Sequence, residues 1–367
     1  MLFGAIVALV PGYADEFDLS KTGAGLLSAA FGAGALLGGI PGGLLAAAIG
    51  PKRAVMLGLG LLSVASIAFA LADGPWALGL ARFVQGFSST VTWAGAFAWL
   101  TVSTPRERRG EVIGTAFGAA VFGAIIGPMF GAVAETVSIR GAFATLGGIA
   151  ALLALWAGSR PSAPLETQAP AAVSRAFADR AFVGGLWLST LPAFLFGVVT
   201  VLVPLRLDAG GFAPIAIGAV FLVAGLLETG VNPVVGWLSD RRGRLFPVRF
   251  GLAGSVAVAV AFAIARDPYP VAVLAVLAAL SFGAFYTPGM ALVSDRAEVV
   301  GLSQALGFGM MNTAWALGNM TGPAIGGALA AFGGDALPYL LASALCLLTL
   351  AGTAAAAPRK GTARAPT

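Results

Sequence analysis

Long apolar stretches recur along the chain, separated by short segments rich in Gly, Pro and charge. A membrane-spanning helix needs about 20 mainly apolar residues. Eleven stretches meet that requirement, at 23–49, 54–72, 76–102, 111–134, 141–158, 182–205, 214–239, 247–265, 271–294, 302–332 and 337–357. Met1–Val10 is also apolar, but at about 1.5 Å per residue it covers only about half of the hydrocarbon layer. It has no cationic start and no small-residue cleavage site before Pro11, so it does not read as a signal peptide. It reads as the second half of a first helix whose beginning is missing. The pattern predicts an all-α integral membrane protein.

The cations divide unevenly between alternate loops. One side holds Lys52, Arg53, Arg106, Arg108, Arg109, Arg160, Arg175, Arg180, Arg241, Arg242, Arg244, Arg249, Arg296, Arg359, Lys360 and Arg364. The other holds Lys21, Arg140, Arg206 and Arg266. The positive-inside rule places the first set and the C-terminus in the cytoplasm, and the 14–23 loop outside. The longest hydrophilic stretch, 159–180, is rich in Pro, Ala, Ser and charge and reads as a flexible linker.

The stretches on either side of that linker repeat. GTAFGAAVFGAIIGPMFGA from Gly114 and GMMNTAWALGNMTGPAIGG from Gly309 share one spacing of Gly and Pro, 195 residues apart. A second pair, from Gly43 and Gly236, is offset by 193. Two motif pairs with nearly one offset argue for duplication of a six-helix unit. The expected organisation is a six-helix bundle over 1–158 with an incomplete first helix, a cytoplasmic linker at 159–181, a second bundle over 182–357, and a cytoplasmic tail at 358–367.

Composition narrows the chemistry. Hydrophobic residues make up 58% and charged ones 10%, against roughly 25% charged in soluble domains. The chain has no His, which removes histidine zinc sites, Ser-His-Asp triads and histidine proton relays. Its single cysteine, Cys346, excludes an internal disulfide, and no GxxxxGK[ST] loop is present for ATP. No enzyme activity, metal or cofactor is expected. The net charge of +5 sits in short loops with no continuous basic face, which argues for membrane orientation and against nucleic acid.

Two motifs carry physics of their own. In Gly236-Trp237-Leu238-Ser239-Asp240-Arg241-Arg242-Gly243-Arg244, Gly243 suits a tight reversal, and Asp240 can meet a helix N-terminus or a nearby Arg. Such a loop either sets topology or latches two helix ends in one conformation. The second motif comprises Gly114, Gly123, Gly127, Pro128 and Gly131, with Gly309, Gly318, Gly322, Pro323, Gly326 and Gly327 as its copy. Gly at this spacing lets membrane helices approach closely, and Pro favours a bend. On physics alone this is packing.

These residues resemble the major facilitator superfamily, and within it the 12-helix drug:proton antiporters. The superfamily loop motif G-x-L-x-D-R-x-G-R is matched at Gly236, Leu238, Asp240, Arg241, Gly243 and Arg244. The antiporter motif of the fifth helix is matched from Gly114 to Gly131, with Ala132 in place of its last Gly. The fourth-helix R-x-x-Q-G pattern stands at Arg82, Gln85 and Gly86. The resemblance implies two pseudosymmetric six-helix bundles around a central cavity, with a midplane substrate site exposed to each side in turn. It also implies export of hydrophobic or amphipathic compounds in exchange for protons. There are two departures. The first-half loop reads Gly43, Leu45, Ala47, Ala48, Gly50, Pro51 and Lys52 without the Asp-Arg pair, and Met1–Val10 has no carboxylate.

Polar residues inside the apolar runs complete the candidates. Glu228 stands near the middle of its run, and intramembrane ionisable residues are functional by default, so it is the expected proton carrier. Asn232, one turn on, is placed to hydrogen-bond to it. Arg82 either reaches the outer interface near Glu135 or acts as a cavity cation in proton coupling. Gln85, Trp93, Phe97, Trp187, Asn232, Phe285, Tyr286, Asn312, Trp315 and Asn319 are candidates for lining a cavity or joining helices. The expectation is a monomeric, multi-pass exporter of the cell membrane whose partners are a small-molecule substrate, protons and lipid. The alternatives are a metabolite or sugar transporter of the same fold and, from another class, a membrane sensor or a permease subunit.

Overall fold

A computed structural model describes residues 2–104, 109–162, 171–302 and 304–355. Arg106, Arg108 and the whole predicted tail at 358–367, with Arg359, Lys360 and Arg364, lie outside them. The described residues form helices joined by short turns: α1 (Leu2–Glu16), α2 (Lys21–Ile49), α3 (Pro51–Ala70), α4 (Pro75–Ser103), α5 (Arg109–Val137), α6 (Ile139–Gly158), α7 (Ala171–Ala178), α8 (Arg180–Ala209), α9 (Pro214–Arg242), α10 (Leu245–Ile264), α11 (Pro268–Val299), α12 (Gln304–Gly333) and α13 (Ala336–Ala355).

Local chemistry explains the turns. Ser20, Ser138 and Asp179 cap α2, α6 and α8 by accepting from the N–H groups of Gly23, Gly141 and Phe182. Pro51, Pro75, Pro214 and Pro268 occupy first turns, where a missing N–H costs nothing. Gly50 and Gly243 make corresponding reversals with φ of 93° and 88°, a conformation that only glycine adopts without strain.

Nine described helices are long and apolar enough to cross a membrane. The 29-residue α4 and 30-residue α12 fall outside that set. Both carry their polar residues into the protein interior: α4 packs between α2 and α3, and α12 between α2 and α8. The apolar surface faces outward, with Leu155 72% and Leu348 71% exposed, as suits contact with lipid.

Two expectations change. The first apolar piece is a helix to Glu16, not to Val10, because Pro11 is absorbed within it and Tyr13 extends the buried face onto Phe69. The linker is not flexible throughout. Its last part is α7, whose Ala176 is buried with Phe182, Val293 and Ala297. Asp179 follows it and pairs with Arg296 of α11, so the guanidinium and the Phe182 N–H hold its carboxyl below the usual range.

Contacts define two ends of the molecule. At the basic end, Lys52 donates to the carbonyls of Gly158 and Arg160 at 2.6 Å, and Arg249 to that of Thr353. At the far end, Arg140 pairs with Asp73, and Lys21 with Asp335 at 2.5 Å. Lys21 opens α2 and Asp335 stands between α12 and α13, so this pair ties the two halves together.

The duplication is visible in the packing. A Cβ on Gly4 would lie 2.9 Å from the Pro128 ring, and one on Gly197 would lie 2.5 Å from the Pro323 ring. Between the halves, Gly25 abuts the Pro323 carbonyl as Gly218 abuts that of Pro128. The tilted ring pair of Phe69 and Phe143 in the first half has the stacked pair of Phe262 and Tyr339 as its counterpart.

Candidate functional site

Helices α9 and α11 run parallel in constant register, and three polar contacts lie along their seam. The first is Glu228, part-buried, whose carboxyl group rests on Gly283. The second is one turn closer to the basic end, where the Thr287 hydroxyl donates to Asn232 Oδ1 at 3.3 Å. The third is at that end, where Arg244 bonds Asp240 at 2.5 Å and Asp295 at 3.2 Å. Asn232 does not bond Glu228 as expected; its side chain turns to Thr287 across the seam. Tyr286 lies within electrostatic range of the carboxylate.

The loop motif forms its lock inside the second half. Arg244 joins the end of α9 to the end of α11, while Arg241 stacks on Trp237 and Arg242 on Phe246. Of the two options for Asp240, pairing with an Arg is the one realised. Gly236 has open space around it, so its place in the motif is not a packing requirement.

Arg82 does not reach the outer interface. It is 1% exposed and donates to the backbone carbonyls of Leu2 and Phe3 and to Gln85 Oε1, at 2.8, 3.4 and 3.2 Å. Its guanidinium lies 4.8 Å from the centre of the Phe31 ring. Phe31 meets Phe3, and Phe3 meets Trp315 of α12 edge-on at 5.2 Å. This cluster spans the halves at depth. It shares no contact with the Glu228 seam, so Arg82 and Glu228 belong to different neighbourhoods.

The glycine motif is packing in the literal sense. Gly318, Gly322 and Gly326 lay α12 against Thr190, Phe194 and Val198 of α8, and Gly327 meets Lys21 and Gly25 of α2. Gly131 meets Ala5 in the same way, and Gly127 touches Gly4. Gly114 and Gly123 lie on α5, and Gly309 has nothing near it.

Among the cavity candidates, Trp93 and Phe97 stack at 4.8 Å on α4, Asn312 is part-buried, and Asn319 lies in the α2–α12 seam opposite Gly32. Two are displaced. Phe285 is fully buried against Gly251 of α10, and Trp187 is 40% exposed and donates to Thr349 of α13. Residues missed in the sequence are Gly283, Thr287, Lys21 and Asp335. A glycine or threonine in an apolar run carries no local mark of what it faces.

The family model of the Major Facilitator Superfamily matches residues 1–307. The chain belongs to the Major Facilitator Superfamily. Its fold and family are those of multi-pass membrane transporters, not of enzymes. It is 26% identical over 338 residues to "Multidrug resistance protein 1" of Bacillus subtilis (strain 168), covering 89% of this chain and 85% of the relative. It is 28% identical over 150 residues to a "Probable sugar efflux transporter" of Helicobacter pylori (strain ATCC 700392 / 26695), 41% of this chain. That match spans 38% of the Helicobacter protein's length. "Quinolone resistance protein NorA" of Staphylococcus aureus (strain N315) is 28% identical over 149 residues, 41% of this chain and 38% of that relative. Among solved structures, a bacterial homolog of the human lysosomal transporter Spinster superposes with a TM-score of 0.73 at 16% identity, over 96% of this chain and 90% of the other. The nucleoside transporter NupG superposes equally well, at 14% identity, over 96% and 95%. These low identities speak for the fold alone.

Proposed function

We propose that this transporter exports small hydrophobic or amphipathic organic compounds in exchange for protons, by alternating access. The observation that carries the reading is the seat of Glu228. It is a part-buried carboxylate midway along α9, packed on a neighbouring helix, with no charged side chain coupled to it among the described residues. Such a group is costly in a membrane and is retained for function. The multidrug and quinolone resistance relatives support a drug-type substrate. The sugar efflux relatives favour a second reading, export of sugars or related metabolites.

In this proposal the basic end and the C-terminus face the cytoplasm, and the protein acts as a monomer. Trp93, Phe97, Tyr286, Asn312 and Trp315 line the path. Arg82 and Gln85 fix α1 against α2 and α4, and so serve coupling indirectly. Asp240, Arg241 and Arg244 control conformational exchange.

The test is reconstitution into proteoliposomes with an imposed pH gradient, using a panel of lipophilic cations, quinolones and sugars. Glu228→Gln keeps the shape and hydrogen bonding of the neutral acid but cannot exchange a proton. It should abolish gradient-driven accumulation while downhill exchange persists. Unchanged gradient-driven transport removes Glu228 from the mechanism, and accumulation of sugars alone selects the second reading.

A further inference from the structure

The contact between Glu228 and Gly283 has an unusual composition. A Cβ on Gly283 would lie 2.5 Å from Glu228 Oε1 and 2.8 Å from both Cδ and Cγ. Those three atoms are side chain, and no backbone atom of α9 is among its nearest neighbours. The glycine's nearest neighbours thus belong to a side chain, unlike the backbone neighbours of glycines that serve close helix approach, the usual reason for a small residue in a membrane helix. It leaves a notch in α11, and the carboxyl group fills it.

The register around the notch is held. Thr287 and Asn232 bond one turn below it, and Arg244 fastens Asp240 and Asp295 at the basic end, so α9 is restrained from sliding along α11. Pro233 and Pro288 follow the hydrogen-bonded pair on both helices at one level. Each removes a backbone N–H and permits a bend just below the carboxylate. The charged and titratable groups on the helices packed around α9 are few. Tyr286 of α11 lies within electrostatic range of Glu228. Asp208 of α8, Tyr13 and Glu16 of α1 and Glu135 of α5 lie towards the far end, Arg249 of α10 bonds Thr353 at the basic end, and α5 meets α9 through Ile125 and Met129.

We propose that Gly283 is a positioning residue for Glu228: its missing side chain is the seat that fixes where the carboxyl group stands when it takes up or releases a proton. This rests on Glu228 being the proton carrier. Gly283→Ala evicts the carboxyl group from the notch. The group that must yield is the end of a flexible side chain, so the fold is preserved while the proton site moves.

The test reads the proton directly and needs no substrate. Infrared difference spectra of the purified protein, titrated with pH, report the protonated-carboxyl band of Glu228, identified as the band that Glu228→Gln removes. Gly283→Ala should keep the wild-type unfolding temperature and shift the titration midpoint of that band by about half a pH unit or more. A midpoint unmoved by Gly283→Ala overturns the proposal. If the wild type shows no titrating band that Glu228→Gln removes, the proton-carrier reading itself fails, a distinct result. Were Gly283→Ala to unfold the protein, the glycine would be serving backbone packing, and the assignment would be wrong.

Discussion

The repeated glycine motif makes a graded prediction, because its members meet very different surroundings. A Cβ on Gly318 would lie 2.1 Å from the Thr190 carbonyl oxygen, 2.8 Å from Phe194 N and 2.9 Å from Ala193 Cβ. Two of these atoms are backbone of α8, so no rotamer change relieves the clash, and α8 and α12 must separate. Ordinary van der Waals contact begins near 3.4 Å, so the pair opens by more than 1 Å along its central contact. Overpacking that forces such backbone shifts costs about 1–3 kcal/mol, and this site belongs at the upper end. Gly309, in the same motif, has nothing within 4 Å. There an added methyl meets no resistance, and Ala is the better helix former by about 1 kcal/mol. Gly326 lies between them, 3.1 Å from a Val198 methyl that can give way. Thermal unfolding of purified Gly318→Ala, Gly326→Ala and Gly309→Ala, followed by size-exclusion fluorescence, should rank them in that order from least to most stable. Gly131→Ala, 2.0 Å from the Ala5 carbonyl, should match Gly318→Ala in the other half. If Gly309→Ala unfolds as early as Gly318→Ala, close packing is not what the motif supplies.

Two further outcomes follow from the ion pairs. Asp240→Asn weakens one arm of the Arg244 lock and leaves the arm to Asp295, so it should slow turnover while substrate affinity in equilibrium binding stays within a few-fold; collapsed affinity with intact turnover contradicts a gating role. Lys21→Ala should cost less than about 1 kcal/mol of stability, because both partners are partly solvated. Joining the same positions through Lys21→Cys and Asp335→Cys with a reducible bis-methanethiosulfonate cross-linker, long enough to replace the Lys side chain, should stop transport until reductant is added, and the native Cys346 is buried and will not interfere. Continued transport by the cross-linked protein would show that this end of the interface never opens.

The sequence was most legible where the bilayer imposes a rule on a single segment. Run lengths located the spanning helices, and the two motif offsets, 195 and 193, exposed a duplication that the paired Gly–Pro contacts repeat in space. Legibility failed where a residue's meaning depends on its partner. Gly283 reads as a featureless glycine until α9 is set beside α11, and Lys21 and Asp335 lie 314 residues apart. Arg82 stayed open between two readings for the same reason: a long cation near a helix end usually reaches for water, but here α1 offers backbone carbonyls closer by. The two polar helices α4 and α12 show the converse, since interior packing lets a spanning helix be less apolar than a lipid-facing one.

Duplication also shows where the halves were made unequal. In the first half, α2 and α4 are the counterparts of α9 and α11. Gly34 and Gly38 of α2 press on the backbone of Phe83 and Phe87, Gly42 on that of Val91, and Gly86 of α4 presses on that of Phe31. That pair is sealed by glycine. Shifted by the loop-motif offset of 193, the three α2 glycines become Leu227, Val231 and Val235, Ala35 becomes Glu228, and Thr90 becomes Gly283. No glycine stands at those α9 positions, and a glycine stands instead on the opposite helix at Gly283, where it faces a carboxylate instead of a backbone. The first half lost its loop Asp as well, with Ala47 and Ala48 in that segment, while the second kept Asp240 and its Arg244 lock. The carboxylate, its notch, the bonded pair below it and the lock at the basic end all lie on one seam of one half. Close packing requires glycines on both sides of a duplicated bundle, but a single ionisable site requires space on only one, and the divergence of α9 and α11 supplies it.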